Sequence, residues 1–327
     1  MHVVRARNVN GVLSDVLWRL RTSGYETDSR NGPVIKIDAP LSVQYDRPWE
    51  RVLFDPLRDA NPFFHFMEAI WMLGGRDDVA FPATFVARMR EFSDDGMMFH
   101  GAYGFRWREH FEMDQINYVV RLLQENPSTR RAVIAMWDPT FDLVLDEDMK
   151  DLPCNTTAMF QVNDGKLDMM VTNRSNDVIL GMCGANAVHF SFLHEFIARS
   201  VKIDMGSYYQ VTFNAHVYLN DQTRKLMAIP YADDRYLTQN VRPLLIRDNM
   251  GCLDEDIRAF LDDPTGEPVF QTSFFNEYVT NIWDAHKAHR MGEKQGARNC
   301  IAAMPDCDWK MACGDWLARR YGGSNER

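Results

Sequence analysis

Residues 157–173 constrain the fold more than any other stretch of this chain. Two runs of alternating apolar and polar residues, 157–163 and 166–173, flank an Asp164-Gly165 pair. Such a pair between alternating runs is a strong hairpin signal, because both turn residues must adopt positive φ. Leu152-Pro153-Cys154-Asn155-Thr156 leads into the hairpin, and Asn173-Arg174-Ser175-Asn176-Asp177 leads out of it. Arg174 follows Cys154 by 20 residues, so the return strand carries it back toward the thiol. A guanidinium there favours the thiolate, the form that attacks carbon. A single cysteine is more often a small buried apolar residue, so the sequence around it has to decide.

Apolar periodicity fills in the rest of the architecture. Val12, Leu13, Val16, Leu17 and Leu20 have helical spacing ended by Gly24, and residues 62–73 form a strongly apolar helix closed by Gly74-Gly75. Residues 116–124 and 187–201 read as further helices, the second with Phe190, Phe192, Leu193 and Phe196 in its buried stripe. Strands are expected at 34–37, 41–45, 132–137, 157–163, 167–173 and 208–217. This is an α+β pattern. After about residue 225 the chain reads as helices at 254–261, 276–291 and 309–320, giving a core over 1–225 and a helical extension over 226–327 packed on it.

With 327 residues, 46% of them hydrophobic, the chain has enough apolar material for one large core or two modest ones. The first seven residues lack the apolar core of a signal peptide, and no run approaches the ~18 apolar residues of a membrane span. Its six cysteines form no CxxC pair, which points away from a zinc framework or disulfide scaffold and toward a reduced, cytoplasmic protein. His286, His289 and the nearby cysteines are too irregularly spaced for a metal site and read as a helical packing face. A net charge of −10 argues against general nucleic-acid binding. It leaves room for a small anionic substrate held by a local arginine cluster, for which Arg30, Arg130, Arg131 and Arg174 are candidates.

Several segments in order resemble the thymidylate synthase superfamily between about residues 10 and 225. They are Ser29-Arg30-Asn31-Gly32, Met67-Glu68-Ala69-Ile70-Trp71, Ala102-Tyr103-Gly104-Phe105-Arg106-Trp107, Asp114-Gln115-Ile116, Pro127-Ser128-Thr129-Arg130-Arg131, the Pro-Cys segment, Arg174-Ser175-Asn176-Asp177 with Gly181, and His216-Val217-Tyr218. The resemblance implies a mixed sheet with helices on one face, whose bare face pairs with a second subunit. It also implies one-carbon transfer to C5 of a pyrimidine nucleoside monophosphate, with 5,10-methylenetetrahydrofolate as cosubstrate and no metal. Cys154 would add to C6 and make C5 nucleophilic. Arg30, Arg174 and, from the partner subunit, Arg130 and Arg131 would hold the phosphate, with Ser175 beside them. Tyr103 matches the tyrosine associated with removing the C5 proton, Glu68 the carboxylate that organises protons and water, His216 and Tyr218 the pair on the sugar 3′-hydroxyl, and Asp177 with Gly181 the pterin site.

Four departures from the synthases stand out. Asn155 replaces the histidine after the nucleophile, and Met89 and Phe92 occupy the places of two tryptophans that wall off the folate. The chain ends Gly323-Ser324-Asn325-Glu326-Arg327 in place of a short apolar sealing tail. A wetter site lets water, not hydride, add to the exocyclic methylene intermediate, so these three favour a hydroxymethyl product. Fourth, Ala185 stands where the synthases read uracil with asparagine; Asn186 is the neighbouring candidate, and its amide suits either base by flipping. The expected activity is hydroxymethyl transfer to dCMP or CMP. The alternative is the same chemistry, or thymidylate synthesis, on dUMP. A non-catalytic nucleotide-binding protein is a remote reading, as is a cysteine hydrolase using His189 or His194.

Overall fold

The computed structural model describes residues 1–29, 31–145, 148–266 and 268–322. Its larger sheet has six strands in the order β1 (His2–Ala6), β4 (Leu41–Tyr45), β9 (Asp204–Thr212), β7 (Lys166–Asn173), β6 (Asn155–Asn163) and β5 (Val133–Ala135). The β1–β4 and β7–β9 pairs are parallel and the others antiparallel, so the sheet is mixed. β6 and β7 form the expected hairpin, with Asp164 and Gly165 at φ 47° and 72°. A second, four-stranded sheet runs β2 (Tyr25–Ser29), β3 (Gly32–Lys36), β10 (Ala215–Tyr218) and β8 (Asn176–Asp177). The single strand expected over 208–217 is therefore two. Phe213 and Asn214 carry the chain from one sheet to the other, the Phe213 N–H bonding to Asn173 and the Asn214 carbonyl accepting from Asn176.

Strand alternation explains where the helices lie. On β7 and β9, Leu167, Met169, Val171, Met205 and Tyr208 are buried, whereas Met170, Tyr209 and Val211 stay half-buried. The Asn186–Val201 helix packs on the buried face and the Pro62–Leu73 helix packs on that helix. The latter begins with Asn61, whose side chain caps the Phe64 N–H, and with proline at its first position. Eleven of its twelve residues are buried, so it is a central core element.

Residues beyond 225 complete the same core. Trp309 packs edge-on against Phe66 at 5.1 Å and also meets Phe192, while Trp316 meets Phe63 at 5.3 Å. Buried Asp308 accepts from the Tyr236 hydroxyl and the Leu244 N–H, and burial pushes its carboxyl up to about 6. Arg319 and Arg320 both clasp Asp59, next to the start of the Pro62–Leu73 helix. A Lys294–Ala303 helix, too polar to show in the periodicity, joins the expected ones. His286 lies against Phe63 and Phe85. Among the described residues no group of His, Cys, Asp or Glu is placed to hold a metal ion, and no helix is long and apolar enough to cross a membrane.

Candidate active site

The segment leading into β6 and the Pro62–Leu73 helix converge on a cleft of about 500 Å³, lined in part by Arg58, His65, Glu68, Tyr103, Asp151 and Ala185. Leu152 and Pro153 form its wall immediately ahead of half-buried Cys154. The register slips between Asn155 and Thr157, an irregularity directly after Cys154. Bulges beside active sites re-aim a side chain that a regular strand would fix.

Arg174 holds this turn from three sides. Its N–H donates to the Cys154 carbonyl at 2.9 Å, Nε to Pro153 O at 2.9 Å and Nη2 to Leu152 O at 3.1 Å. Its guanidinium also lies 5.6 Å from the centre of the Trp137 ring. The arginine thus fixes the backbone that presents the thiol, with its charge held at the same turn.

Tyr103 clamps the same turn from the other side. Its hydroxyl oxygen accepts the N–H of Cys154 at 3.0 Å and of Asn155 at 3.2 Å. Burial, reinforced by the neighbouring Cys154, pushes the phenol well above its ordinary pKa, so it remains protonated. Both lone pairs are then engaged, which leaves the hydroxyl proton as the only hydrogen-bonding function the phenol can still offer. Gly104 follows because a Cβ there would overlap the Met72 carbonyl.

Asp151 was not visible as a site residue in the sequence, yet it lines the cleft and accepts the Gly101 N–H at 3.0 Å. Burial pushes its carboxyl from an ordinary 3.8 up to about 6. A carboxyl raised on folding favours the native state at low pH, and that advantage is lost as pH rises through the folded value. Asp151→Asn therefore gains stability relative to the parent between pH 4 and 6, by up to about 3 kcal/mol, and keeps the gain above pH 6. Urea denaturation at pH 4 and pH 7.5 checks the sign; an equal difference at both rules out the ionisation.

Behind the Cys154 turn, side-chain amides form an ordered relay. The Met182 carbonyl can only accept, so Gln210 turns its NH₂ toward it at 3.1 Å. Gln210 Oε1 then accepts from Asn176 at 2.9 Å, Asn176 Oδ1 from Asn186 at 3.1 Å, and Asn186 Oδ1 from Asn155 at 3.3 Å. Asn173 donates onward to Asn155 Oδ1. A flip of Asn186 would set donor against donor, so its orientation is fixed. Asn155 and Asn186 are both buried in this relay. Gly181 is required beside it, since a Cβ there would overlap the Asn176 amide oxygen.

The small sheet carries the remaining candidates. Asp177 stands opposite His216 in the β8–β10 pair and accepts the Ile179 and Leu180 N–H groups. Burial lifts its carboxyl above the usual range, opposed by the Leu180 N–H and by His216. His216 meets Tyr218 edge-on at 5.2 Å, the Asn31 amide reaches the Tyr218 hydroxyl at 3.4 Å, and Ser175 accepts from Asn214 at 3.2 Å. Arg30 and the 323–327 end lie outside the described residues. Met89 and Phe92 line the cleft, with Phe92 48% exposed. Arg130 and Arg131 are exposed and do not line the cleft; Arg130 borders a groove with Met159, Met170 and Tyr209 on the half-buried sheet face. Arg58 and His65 are additional buried polar residues at the cleft that apolar patterning hid, and buried His189 lies behind them, beside Glu68 and His65.

Comparison with known proteins agrees with this geometry. The family model described as Thymidylate synthase matches residues 59–231. The chain is 44% identical, over its whole length and 97% of the relative, to a deoxyuridylate hydroxymethyltransferase of Pseudomonas phage M6. Another protein of that name from Bacillus phage SP01 is 39% identical over 60% of this chain and 53% of its own length. A third, from Delftia phage PhiW-14, is 28% identical over 66% and 62%. The family match over more than half of the chain and the whole-length relative decide the lineage: the chain belongs to the thymidylate synthase family and is a one-carbon transferase.

Proposed function

We propose that the chain is a deoxyuridylate 5-hydroxymethyltransferase, converting dUMP, 5,10-methylenetetrahydrofolate and water to 5-hydroxymethyl-dUMP and tetrahydrofolate. The observation that carries this reading is the whole-length similarity to the Pseudomonas phage M6 protein, which includes the extension that the family model does not match. The choice of uracil corrects the cytosine expectation. That expectation rested on Ala185, which reads neither base, so the loss of a uracil reader was not the gain of a cytosine reader. Asn186, the residue invoked in its place, has its amide committed to the relay. All three relatives carry deoxyuridylate in their names.

In this reading the Cys154 thiolate adds to C6 of the pyrimidine and makes C5 the carbon end of an enolate, which attacks the iminium carbon of the folate. Tyr103, protonated and with both lone pairs occupied, acts as a hydrogen-bond donor and leaves removal of the C5 proton to a water it orients. Departure of tetrahydrofolate leaves a methylene on C5, conjugated with the C4 carbonyl. The wall formed by half-exposed Phe92 and by Met89 admits water to that carbon. Arg174 and Arg30 bind the substrate phosphate, Asp177 with Gly181 the pterin, and His216 with Tyr218 the sugar.

Tritium release from C5-labelled dUMP and dCMP with methylenetetrahydrofolate tests the base. Release from dUMP alone is expected; release from dCMP alone would restore the cytosine reading. The proposal includes a homodimer in which the half-buried face of the larger sheet meets its copy and Arg130 and Arg131 reach the partner's phosphate site. A mixture of inactive Cys154→Ser and inactive Arg130→Ala/Arg131→Ala proteins then regains about a quarter of parental activity through random assortment into dimers. No recovery would place both arginines in their own subunit's site.

A further inference from the structure

Glu68 and His189 are not fully used by the steps above. Glu68 is 7% exposed on the Pro62–Leu73 helix and His189 2% exposed on the Asn186–Val201 helix. His189 Nε2 lies 3.0 Å from Glu68 Oε2, yet neither atom completes an aligned hydrogen bond. Two buried polar atoms left in this state are costly for a purely structural contact. His65, one helical turn before Glu68, meets His189 edge-on at 6.5 Å and lines the cleft with Glu68. Burial, Arg58 and His189 hold the His65 imidazole far below its ordinary pKa, so it is neutral. The cleft wall at Glu68 is therefore backed by imidazoles, where a core helix would normally be apolar.

We propose that His189 is a positioning residue for the hydration step, orienting Glu68 to take a proton from the attacking water. The inference rests on the hydroxymethyl-transfer reading. In the step, the water oxygen bonds to the exocyclic methylene carbon and one water proton passes to Glu68. The methylene π electrons move to the C5–C4 enolate. Collapse of the enolate restores the C4 carbonyl, forms the C5–C6 double bond and expels the Cys154 thiolate. Water alone is the co-reactant, and no electrons are exchanged with another group.

The experiment follows one turnover of C5-tritiated dUMP in the parent protein, His189→Phe and His189→Gln. Addition and proton loss precede hydration, so His189→Phe keeps a tritium burst of one equivalent per site at the parental rate. Its hydroxymethyl product forms on the order of 10²-fold more slowly. Added 2-mercaptoethanol, whose thiolate attacks the methylene carbon without needing a base, restores continuous release as a thioether product. His189→Gln, which keeps an N–H donor, recovers product formation to within about tenfold of the parent. Should His189→Phe fail to fold, His189→Gln against the parent decides the matter: a product rate lowered with the burst intact supports the role, and unchanged ratios overturn it. Burst and product falling together would also overturn it, as a structural defect. A parent protein that makes no hydroxymethyl product would overturn the function reading itself, a result seen before any variant is measured.

Discussion

Cys154→Ser abolishes both tritium release from C5 and product formation, a loss on the order of 10⁴-fold or more. A serine hydroxyl has no accessible anionic form near neutral pH, and the two side chains that clamp position 154 are already committed to the turn. The Tyr103 oxygen already accepts two N–H groups, and the Arg174 guanidinium donates to carbonyls of the turn. A nearby cation that favours a thiolate is insufficient for an alkoxide. Serine is nearly isosteric with cysteine and position 154 is half-buried, so the unfolding free energy stays within about 0.5 kcal/mol of the parent. Residual C5 exchange in the purified serine variant above about 1% of the parental rate would remove Cys154 from its role.

The largest loss of stability is expected at Glu195→Ala. Arg51 and Glu195 are completely buried and paired, with the guanidinium 4.1 Å from the centre of the Phe192 ring. Among the described residues Arg51 Nε and Nη1 have no hydrogen-bond partner, so the guanidinium depends on this carboxylate. Glu195 Oε1 also accepts the Ile246 N–H at 2.8 Å, which ties the start of the extension to the core. Removing the carboxylate leaves a buried charge and an orphaned N–H, a cost of about 3–5 kcal/mol. That is a large share of the 5–15 kcal/mol typical of a folded protein. Urea denaturation of Glu195→Ala measures it, and a loss below about 1 kcal/mol would mean that water reaches Arg51.

The parts of the fold that were legible in the sequence are those set by local chemistry. The β6–β7 hairpin follows from Asp164-Gly165, and the Pro62–Leu73 helix from a continuous apolar run between Asn61 and Gly74. The 208–217 run read as one strand because its apolar content continues across the break. Only the long-range bonds of Phe213 and Asn214 to the segment after β7 show that the chain changes sheets there. The site was legible where motifs carried it, as at Cys154, Tyr103 and Glu68, which the structure brings to one cleft or its wall. His65, His189 and Asp151 were not, because their significance lies in partners from distant segments. A histidine in a stripe with Val188 and Phe192 looks like core until Glu68 is seen opposite it. The base to be read was not legible for a related reason: the sequence shows that Asn186 is an amide, but the relay through Asn155 and Asn176 determines what that amide can offer.

The central claim is that this site delivers a hydroxymethyl group to dUMP without consuming a hydride. Its most direct test is mass analysis of the nucleotide formed from dUMP and methylenetetrahydrofolate, with dihydrofolate followed in the same reaction by its absorbance. The account predicts 5-hydroxymethyl-dUMP and no dihydrofolate. Thymidylate accompanied by an equal amount of dihydrofolate would contradict it, showing that the cleft excludes water despite the open wall at Met89 and Phe92.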